Sequence, residues 1–184
     1  MMQVVPWIGR TVVQNAYVVE DLDAAMARWT SVFGVGPFFA NRDIRVDEPR
    51  YRGAPTELRF AGAIAQAGAV QIELIQQLDD SPSCYRDLYP AGREGFHHIA
   101  VFAEDLDTEI ARYEALGAPV AFSGVSRGMR FAYVDTSPML GIMVELLEDV
   151  PSVRNAFALV AEAGRTWDGT DPVRGSASAA AAVT

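Results

Sequence analysis

One segment of this chain is written twice. Residues 13–23, Val-Gln-Asn-Ala-Tyr-Val-Val-Glu-Asp-Leu-Asp, return at residues 97–107 as His-His-Ile-Ala-Val-Phe-Ala-Glu-Asp-Leu-Asp. Ala16 matches Ala100, and the run from Glu20 to Asp23 matches the run from Glu104 to Asp107. The same offset carries Ala27-Arg28-Trp29 onto Ala111-Arg112-Tyr113. A chain that repeats one unit is constrained to build both copies alike and to bury them against each other.

The repeat can be read as secondary structure. Each copy opens with an apolar, strand-like run and continues into an acidic helix start. Leu22, Ala25, Met26, Trp29 and Phe33 recur at three- and four-residue spacing, as do Leu106, Ile110, Tyr113 and Leu116; both sets predict amphipathic helices. Aspartates 21, 23, 105 and 107 suit the N-terminal ends, where they can cap free N–H groups and favour the positive end of the helix dipole. Gly34 and Gly117, followed by Pro37 and Pro119, mark the stops. Strand-like runs then follow at 38–46, 56–64 and 69–76, and again at 119–123, 129–135 and 141–148, with glycine and proline in the gaps. The predicted fold is α+β, two tandem βαβββ modules forming a curved mixed sheet within one compact domain. The first module spans 10–76, a polar linker 77–95 and the second module 96–148. Residues 149–184 are expected to form a helix over 151–164 and, from about 168, a disordered tail of Ser, Ala, Gly and Pro with little to bury.

Composition narrows the function. The formal charge of −9, from 15 basic and 24 acidic residues, is the wrong sign for gripping a phosphate backbone, so no nucleic-acid partner is expected. Every basic residue is arginine; with no lysine, Schiff-base chemistry and a P-loop are excluded. Cys84 is the only cysteine, which removes intrachain disulfides and cysteine zinc clusters and suits a reducing compartment. No apolar run reaches membrane-spanning length, and Met1 to Arg10 lacks the apolar stretch of a signal peptide. A cytoplasmic location and no membrane partner are the expectation.

Two apolar strands each carry a carboxylate in an awkward place. Glu73 lies within Ala69-Val-Gln-Ile-Glu-Leu-Ile-Gln76, and Glu145 holds the equivalent place in Gly141-Ile-Met-Val-Glu-Leu-Leu-Glu148. A buried carboxylate is costly unless paired, hydrogen-bonded or bound to metal. In the opening strands the repeat sets Gln14 opposite His98, each seven residues before an aspartate. Strand alternation puts His98, Ala100 and Phe102 on one face and His97, Ile99 and Val101 on the other, apolar one. His97 is therefore read as structural. Gln14, Glu73, His98 and Glu145 form a candidate site for one divalent ion (zinc, nickel, cobalt or manganese) with a position left open for water or substrate. The alternatives are a core histidine, ion pairs of the glutamates with Arg59 or Arg130, and a glutamine held by backbone groups alone.

The paired Glu-Asp-Leu-Asp helix starts, the repeated module and the strand-borne donors resemble the vicinal oxygen chelate superfamily over residues 10–148. That superfamily includes glyoxalase I, methylmalonyl-CoA epimerase, extradiol dioxygenases and bleomycin-resistance proteins. The resemblance implies a glyoxalase-like fold around one metal site, each module giving one ligand from its first strand and one from its last: Gln14, Glu73, His98 and Glu145. The Gln/Glu/His/Glu set is similar to animal-type glyoxalase I. Epimerases more often have histidine at the place of Gln14 and glutamine at that of Glu73, yet chain length and the linker style look closer to them. The implied activity is a metal-dependent isomerase or epimerase acting by proton abstraction beside a metal-polarised carbonyl of an acyl-CoA-like or related enolisable substrate, with Glu73 or Glu145 as the catalytic base. The alternatives are a glyoxalase I-like lyase on a hemithioacetal and a metal-free small-molecule binding or resistance protein of the same fold. An extradiol dioxygenase would need two inward histidines from separate strands, and this chain has only the adjacent pair.

Other signals carry less. Gly124-Val-Ser-Arg-Gly128 fits G-x-S-x-G but is followed by a strand rather than the helix a nucleophile elbow needs. Gly34-Val-Gly-Pro-Phe-Phe-Ala40 follows a helix and opens a strand, the reverse of a dinucleotide fingerprint. Arginines 42, 45, 50, 52 and 59 crowd a short stretch; the plain reading is a solvated face paired to Asp43, Asp47 and Glu48. The sharper reading makes Arg50 and Arg52, with Phe102, contacts for an anionic substrate such as a CoA thioester. A homodimer is expected from base rates.

Overall fold

The computed structural model describes residues 10–176. Residues 1–9, where no signal segment was expected, and 177–184, the end of the expected disordered tail, lie outside them. The first module runs β1 (Gln14–Val18), α1 (Leu22–Phe33), β2 (Phe38–Ile44), β3 (Asp47–Tyr51), β4 (Ala54–Pro55), β5 (Phe60–Ala67) and β6 (Val70–Gln77). A short helix α2 (Cys84–Leu88) follows. The second module runs β7 (Gly95–Ala103), α3 (Leu106–Ala115), β8 (Val120–Ser126), β9 (Met129–Val134), α4 (Ser137–Leu140) and β10 (Met143–Glu148). The chain continues into α5 (Pro151–Arg165) and β11 (Val173–Gly175).

The strands join one mixed sheet in the order β11-β2-β5-β6-β1-β7-β10-β9-β8-β3-β4. The two modules are mirror halves of that order. Each first strand pairs in parallel with its module's last, β1 with β6 and β7 with β10, and β1 meets β7 antiparallel at the seam. This places the first strands and last strands of both repeats in four adjacent positions. The curved sheet and the doubled βαβββ unit are the fold expected from the repeat.

Alternation sorts the side chains. On one face Leu22, Ala25 and Met26 of α1 pack on Ile72 and Leu74, while Leu106 and Ile110 of α3 pack on Val101, Val144 and Leu146. The two helices start alike: Asp21 accepts from Ala24 N–H at 2.9 Å and Asp105 from Thr108 N–H at 3.0 Å. Gly34 closes α1 at φ 70°, a left-handed conformation that a residue without Cβ adopts at no steric cost. The other face carries a cluster shared by both modules, including Ala16, Phe60, Ala100, Phe122, Tyr133 and Leu147.

Three segments depart from the sequence expectation. Residues 47–55 form β3 and β4, and β3 reaches across to pair with β8 of the second module. The polar linker carries α2, whose Cys84 and Tyr85 are fully buried against the inner face. The tail expected to be disordered from about 168 forms β11, parallel to β2. Trp167 fixes this segment, its ring standing where a Cβ on Gly36 would come within 2.6 Å. The α5 helix lies on β5, with Val160 buried beside Phe39 and Ile64. Among the described residues no helix is long and apolar enough to cross a membrane.

Candidate metal centre

Register brings the candidate donors together. Across the sheet, Glu73 on β6, Ala16 on β1 and His98 on β7 stand in one row; Gln14, Ala100 and Glu145 form the next. Neighbouring strands are about 4.8 Å apart, so donors on next-but-one strands start roughly twice that distance apart. The methyl groups of Ala16 and Ala100, both wholly buried, leave the space in which the longer side chains converge. His98 Nε2 lies 3.4 Å from Glu73 Oε2 and 3.3 Å from Glu145 Oε2. The three donor atoms all lie within 4.8 Å of one another. Neither glutamate pairs with Arg59 or Arg130; Arg130 binds Glu148 and Asp107 instead.

His97 does not face the helix with Ile99 and Val101 as alternation predicted. The β1–β7 register passes from Ala16 opposite His98 to Tyr17 opposite Phe96, so His97 is the extra residue of a β-bulge. The bulge turns its ring to the same side as His98, between Tyr85 and Tyr133. Its Nε2 lies 3.0 Å from the Cys84 carbonyl and its Nδ1 3.0 Å from His98 Nδ1. A carbonyl only accepts, so His97 Nε2 carries the proton and its Nδ1 accepts from His98 Nδ1–H. The relay fixes the His98 ring with Nε2 aimed at the two carboxylates.

The electrostatics follow from burial and proximity. Burial opposes a charge on His98, but the closeness of the Glu145 and Glu73 carboxylates outweighs it, and its pKa is pushed up to about 9. His97, buried and beside that charge, is held down to about 3, in keeping with its neutral role in the relay. Burial raises the Glu73 carboxyl, the closeness of His98 works against it, and the charge of Glu145 adds to the rise. Tyr85 and Tyr133 are pushed well up by burial and keep their phenol protons.

The donor set fits a divalent ion. His98 Nε2 and Glu73 Oε2 are buried and make no hydrogen bond of acceptable geometry. Donors about 2.1 Å from one ion in tetrahedral array stand roughly 3.4 Å apart, which is the His98–glutamate spacing. An imidazole with two carboxylates suits zinc and its first-row neighbours.

Above the three donors opens a cavity of about 190 Å³. Gln14, Glu73 and Glu145 reach it, and Phe60, Phe131, Leu147, Val153 and Phe157 supply apolar walls. Gln14 Nε2 donates to Gln71 Oε1 at 3.3 Å, which leaves the amide oxygen as the end it can present. Ile44 and Ser126 are shared with an outer cleft lined by Arg45 and Arg127, and Ile44, Ile64, Glu73 and Ser126 with a second one lined by Arg127. Arg50 and Arg52, set at an anion-binding rim by the sharper of the two readings, do not line this cavity. They ride on the β3 arm, where Arg52 Nη2 bonds Asp87 Oδ2 at 2.7 Å and Asp135 Oδ2 at 2.8 Å, and Arg50 Nη1 bonds the Gly53 carbonyl. Phe102 shares the His98 face but lines a neighbouring cavity of about 440 Å³, packed on Phe157. The sequence reading missed His97, Val153 and Phe157 as parts of the site. For the last two, the Val153, Phe157, Val160 stripe was a usable sign of a buried helix face.

Comparison with known proteins agrees with this architecture. A crystal structure of methylmalonyl-CoA epimerase from Mycobacterium tuberculosis is similar at a TM-score of 0.54 and 21% identity, over 78% of this chain and 91% of the other. A Streptomyces coelicolor methylmalonyl-CoA epimerase in complex with 2-nitronate-propionyl-CoA is similar at a TM-score of 0.51 and 20% identity, over 77% and 99%. A hypothetical protein from Bacillus halodurans C-125 reaches a TM-score of 0.54 at 16% identity, over 77% and 96%. At such identities the likeness is one of fold. No curated protein matches by sequence. The family profile matches residues 13–133, a stretch that includes Gln14, Glu73 and His98 and stops short of Glu145. The chain belongs to the Glyoxalase/Bleomycin resistance protein/Dioxygenase superfamily.

Proposed function

We propose that this protein is a divalent-metal-dependent isomerase or epimerase that moves a proton on the carbon beside a carbonyl, with an acyl thioester as the substrate class. The observation that carries this reading is the convergence of Glu73, His98 Nε2 and Glu145 at the floor of an apolar cavity. Glu73, His98 and Glu145 would hold the ion, with Gln14 as a further donor. Bound there, the ion supplies Lewis-acid polarisation of the carbonyl, which acidifies the neighbouring C–H. Glu73 and Glu145 both present a carboxylate to the cavity, and one of them takes the proton and returns it to the same or a neighbouring carbon. Apolar walls exclude water, so the proton stays with the carboxylate rather than leaking to solvent. All these groups belong to one chain, so the site is assembled without a second copy. Homodimerisation and a cytoplasmic location are compatible proposals that the chemistry does not require. The thioester is supported by the ligand named for the Streptomyces coelicolor relative of this fold.

Metal content by mass spectrometry and deuterium exchange into acyl thioesters in D2O test the proposal together. About one equivalent of a divalent ion is expected in the wild type and far less in His98→Ala and Glu145→Ala. Exchange at the carbon beside the carbonyl should be lost in Glu73→Gln or Glu145→Gln with little change in fold. A protein that takes up none of zinc, nickel, cobalt or manganese, or exchange retained in both glutamine variants, would overturn it.

A second reading, a lyase acting on a glutathione hemithioacetal, is favoured by one observation. Gln14 reaches the cavity beside Glu73 and Glu145, giving the four-position set read from the sequence as similar to animal-type glyoxalase I. Turnover of a hemithioacetal without exchange into acyl thioesters would select it. An absence of metal in wild type would instead favour a small-molecule binding protein.

A further inference from the structure

The shape and charge of the cavity bear on what the reacting carbon carries. An apolar cavity of about 150 Å³ holds one benzene molecule. The cavity above Glu73 and Glu145, at about 190 Å³, is slightly larger, so it takes one ring or a short branched alkyl group, while the carrier of a thioester stays outside. Its apolar walls come from both modules, as Phe60 and Phe131, and from the C-terminal helix, as Val153 and Phe157. Among the described residues lining it, none has a positively charged side chain. With a divalent ion held as proposed above, the charge at the floor would be balanced, the two negative charges of Glu73 and Glu145 against its two positive ones. A carboxylate on the reacting carbon that pointed into these walls would find no positively charged partner among them, Arg127 lining the adjoining cleft instead, and burying its charge without one is strongly disfavoured.

The α5 wall is fixed in place. Phe157 packs edge-on against Phe102 with ring centroids 5.1 Å apart. Arg154 lies 3.8 Å over the Phe102 ring and holds Asp149 through two hydrogen bonds of 2.7 and 2.6 Å. Val160, one turn further on, is wholly buried. These contacts set the helix before any ligand arrives, so Phe157 acts as a wall.

We propose that the cavity selects carbonyl compounds whose reacting carbon carries an uncharged apolar branch of up to one ring, and rejects those carrying a carboxylate, with Phe157 and Val153 as the specificity-determining residues. This rests on the proton-transfer site proposed above but is tested by binding, which needs no turnover. The probes are the N-acetylcysteamine thioesters of 2-methyl-3-phenylpropanoate and of methylmalonate, titrated by calorimetry into the full chain with equimolar zinc. The wild type should bind the phenyl thioester at least about tenfold more tightly than the carboxylated one. Phe157→Arg should narrow or reverse that ratio by supplying the missing positive charge. Should that variant fail to fold, Phe157→Ala serves: it should weaken the phenyl ligand at least about fivefold and leave the carboxylated one within twofold. Equal or tighter wild-type binding of the carboxylated thioester, no saturable binding of the phenyl one, or a ratio unmoved by the folded variant would overturn the proposal. Deuterium exchange into the same two thioesters reports separately on the proton-transfer reading. Binding in the expected order without exchange would sink that reading alone; exchange with the opposite order of binding would sink this one alone.

Discussion

Ala16 and Ala100 show how much a small side chain can decide. Each stands between two donors in a row across the sheet, and each is the same residue at the same place of the repeat. Ala16→Val or Ala100→Leu would fill the volume in which Glu73, His98 and Glu145 meet. Both variants are expected to lose the metal in equilibrium dialysis while keeping the circular dichroism of the wild type. His97 acts one bond further out. His97→Phe preserves the ring but removes the acceptor for His98 Nδ1–H, so zinc affinity measured against a competing chelator should fall about 10–100-fold. An unchanged affinity would mean that the ring of His98 is held by packing alone. At this scale the sequence shows the donors, because an 84-residue offset matches Gln14 to His98 and the last strand of each repeat carries one carboxylate amid apolar residues, Glu73 and Glu145. The second histidine is hidden. A bulge is one inserted residue, leaves no trace in composition, and reverses the face of the residue it inserts.

Among the elements, helices α1 and α3 and the eight strands of the two βαβββ units follow from periodicity and punctuation, the helices from regular apolar stripes and the strands from short, largely apolar runs between glycines and prolines. The β3–β4 arm does not. Its sequence, Asp-Glu-Pro-Arg-Tyr and Ala-Pro, has no apolar alternation and carries prolines, which mark an edge strand or no strand at all. It forms because β8 offers an unpaired edge, a tertiary reason that no local window contains. The α5 helix carries a test of its packing. Replacing a helical glycine with alanine ordinarily stabilises by about 1 kcal/mol. At Gly164 the new Cβ would stand 2.8 Å from the Cβ of Gln66 on β5, an atom close to the backbone that cannot swing away. The clash should win, so Gly164→Ala is expected to lower the melting temperature; a rise would show that the helix rides higher on the strand.

For the molecule as a whole, Asp135 links distant parts of the chain. It accepts from Arg52 on the β3 arm and from the Ser137 hydroxyl and N–H at the start of α4. Burial would raise its pKa, but those bonds and the charge of Arg52 hold it below the ordinary carboxylate range. A carboxyl lowered on folding contributes stability in full above its unfolded pKa, about 3.9, and loses it as pH falls through the folded value. Asp135→Asn should therefore be less stable than wild type in urea titrations at pH 7, and the gap should close as the pH drops below about 4. A gap that stays constant with pH would trace the loss to packing rather than charge.

The two modules exchange ends. The first lends its β3 arm to the edge of the second at β8, and the chain, on leaving the second, returns as α5 and β11 to lie on β5 and β2 of the first. Neither half is therefore a finished object. If the chain were severed in the exposed turn at Ala91 and Gly92, each fragment would lack an edge that only the other can provide. Such fragments are expected to remain unfolded apart and to reassemble when mixed, one to one, with the metal bound only after they have joined.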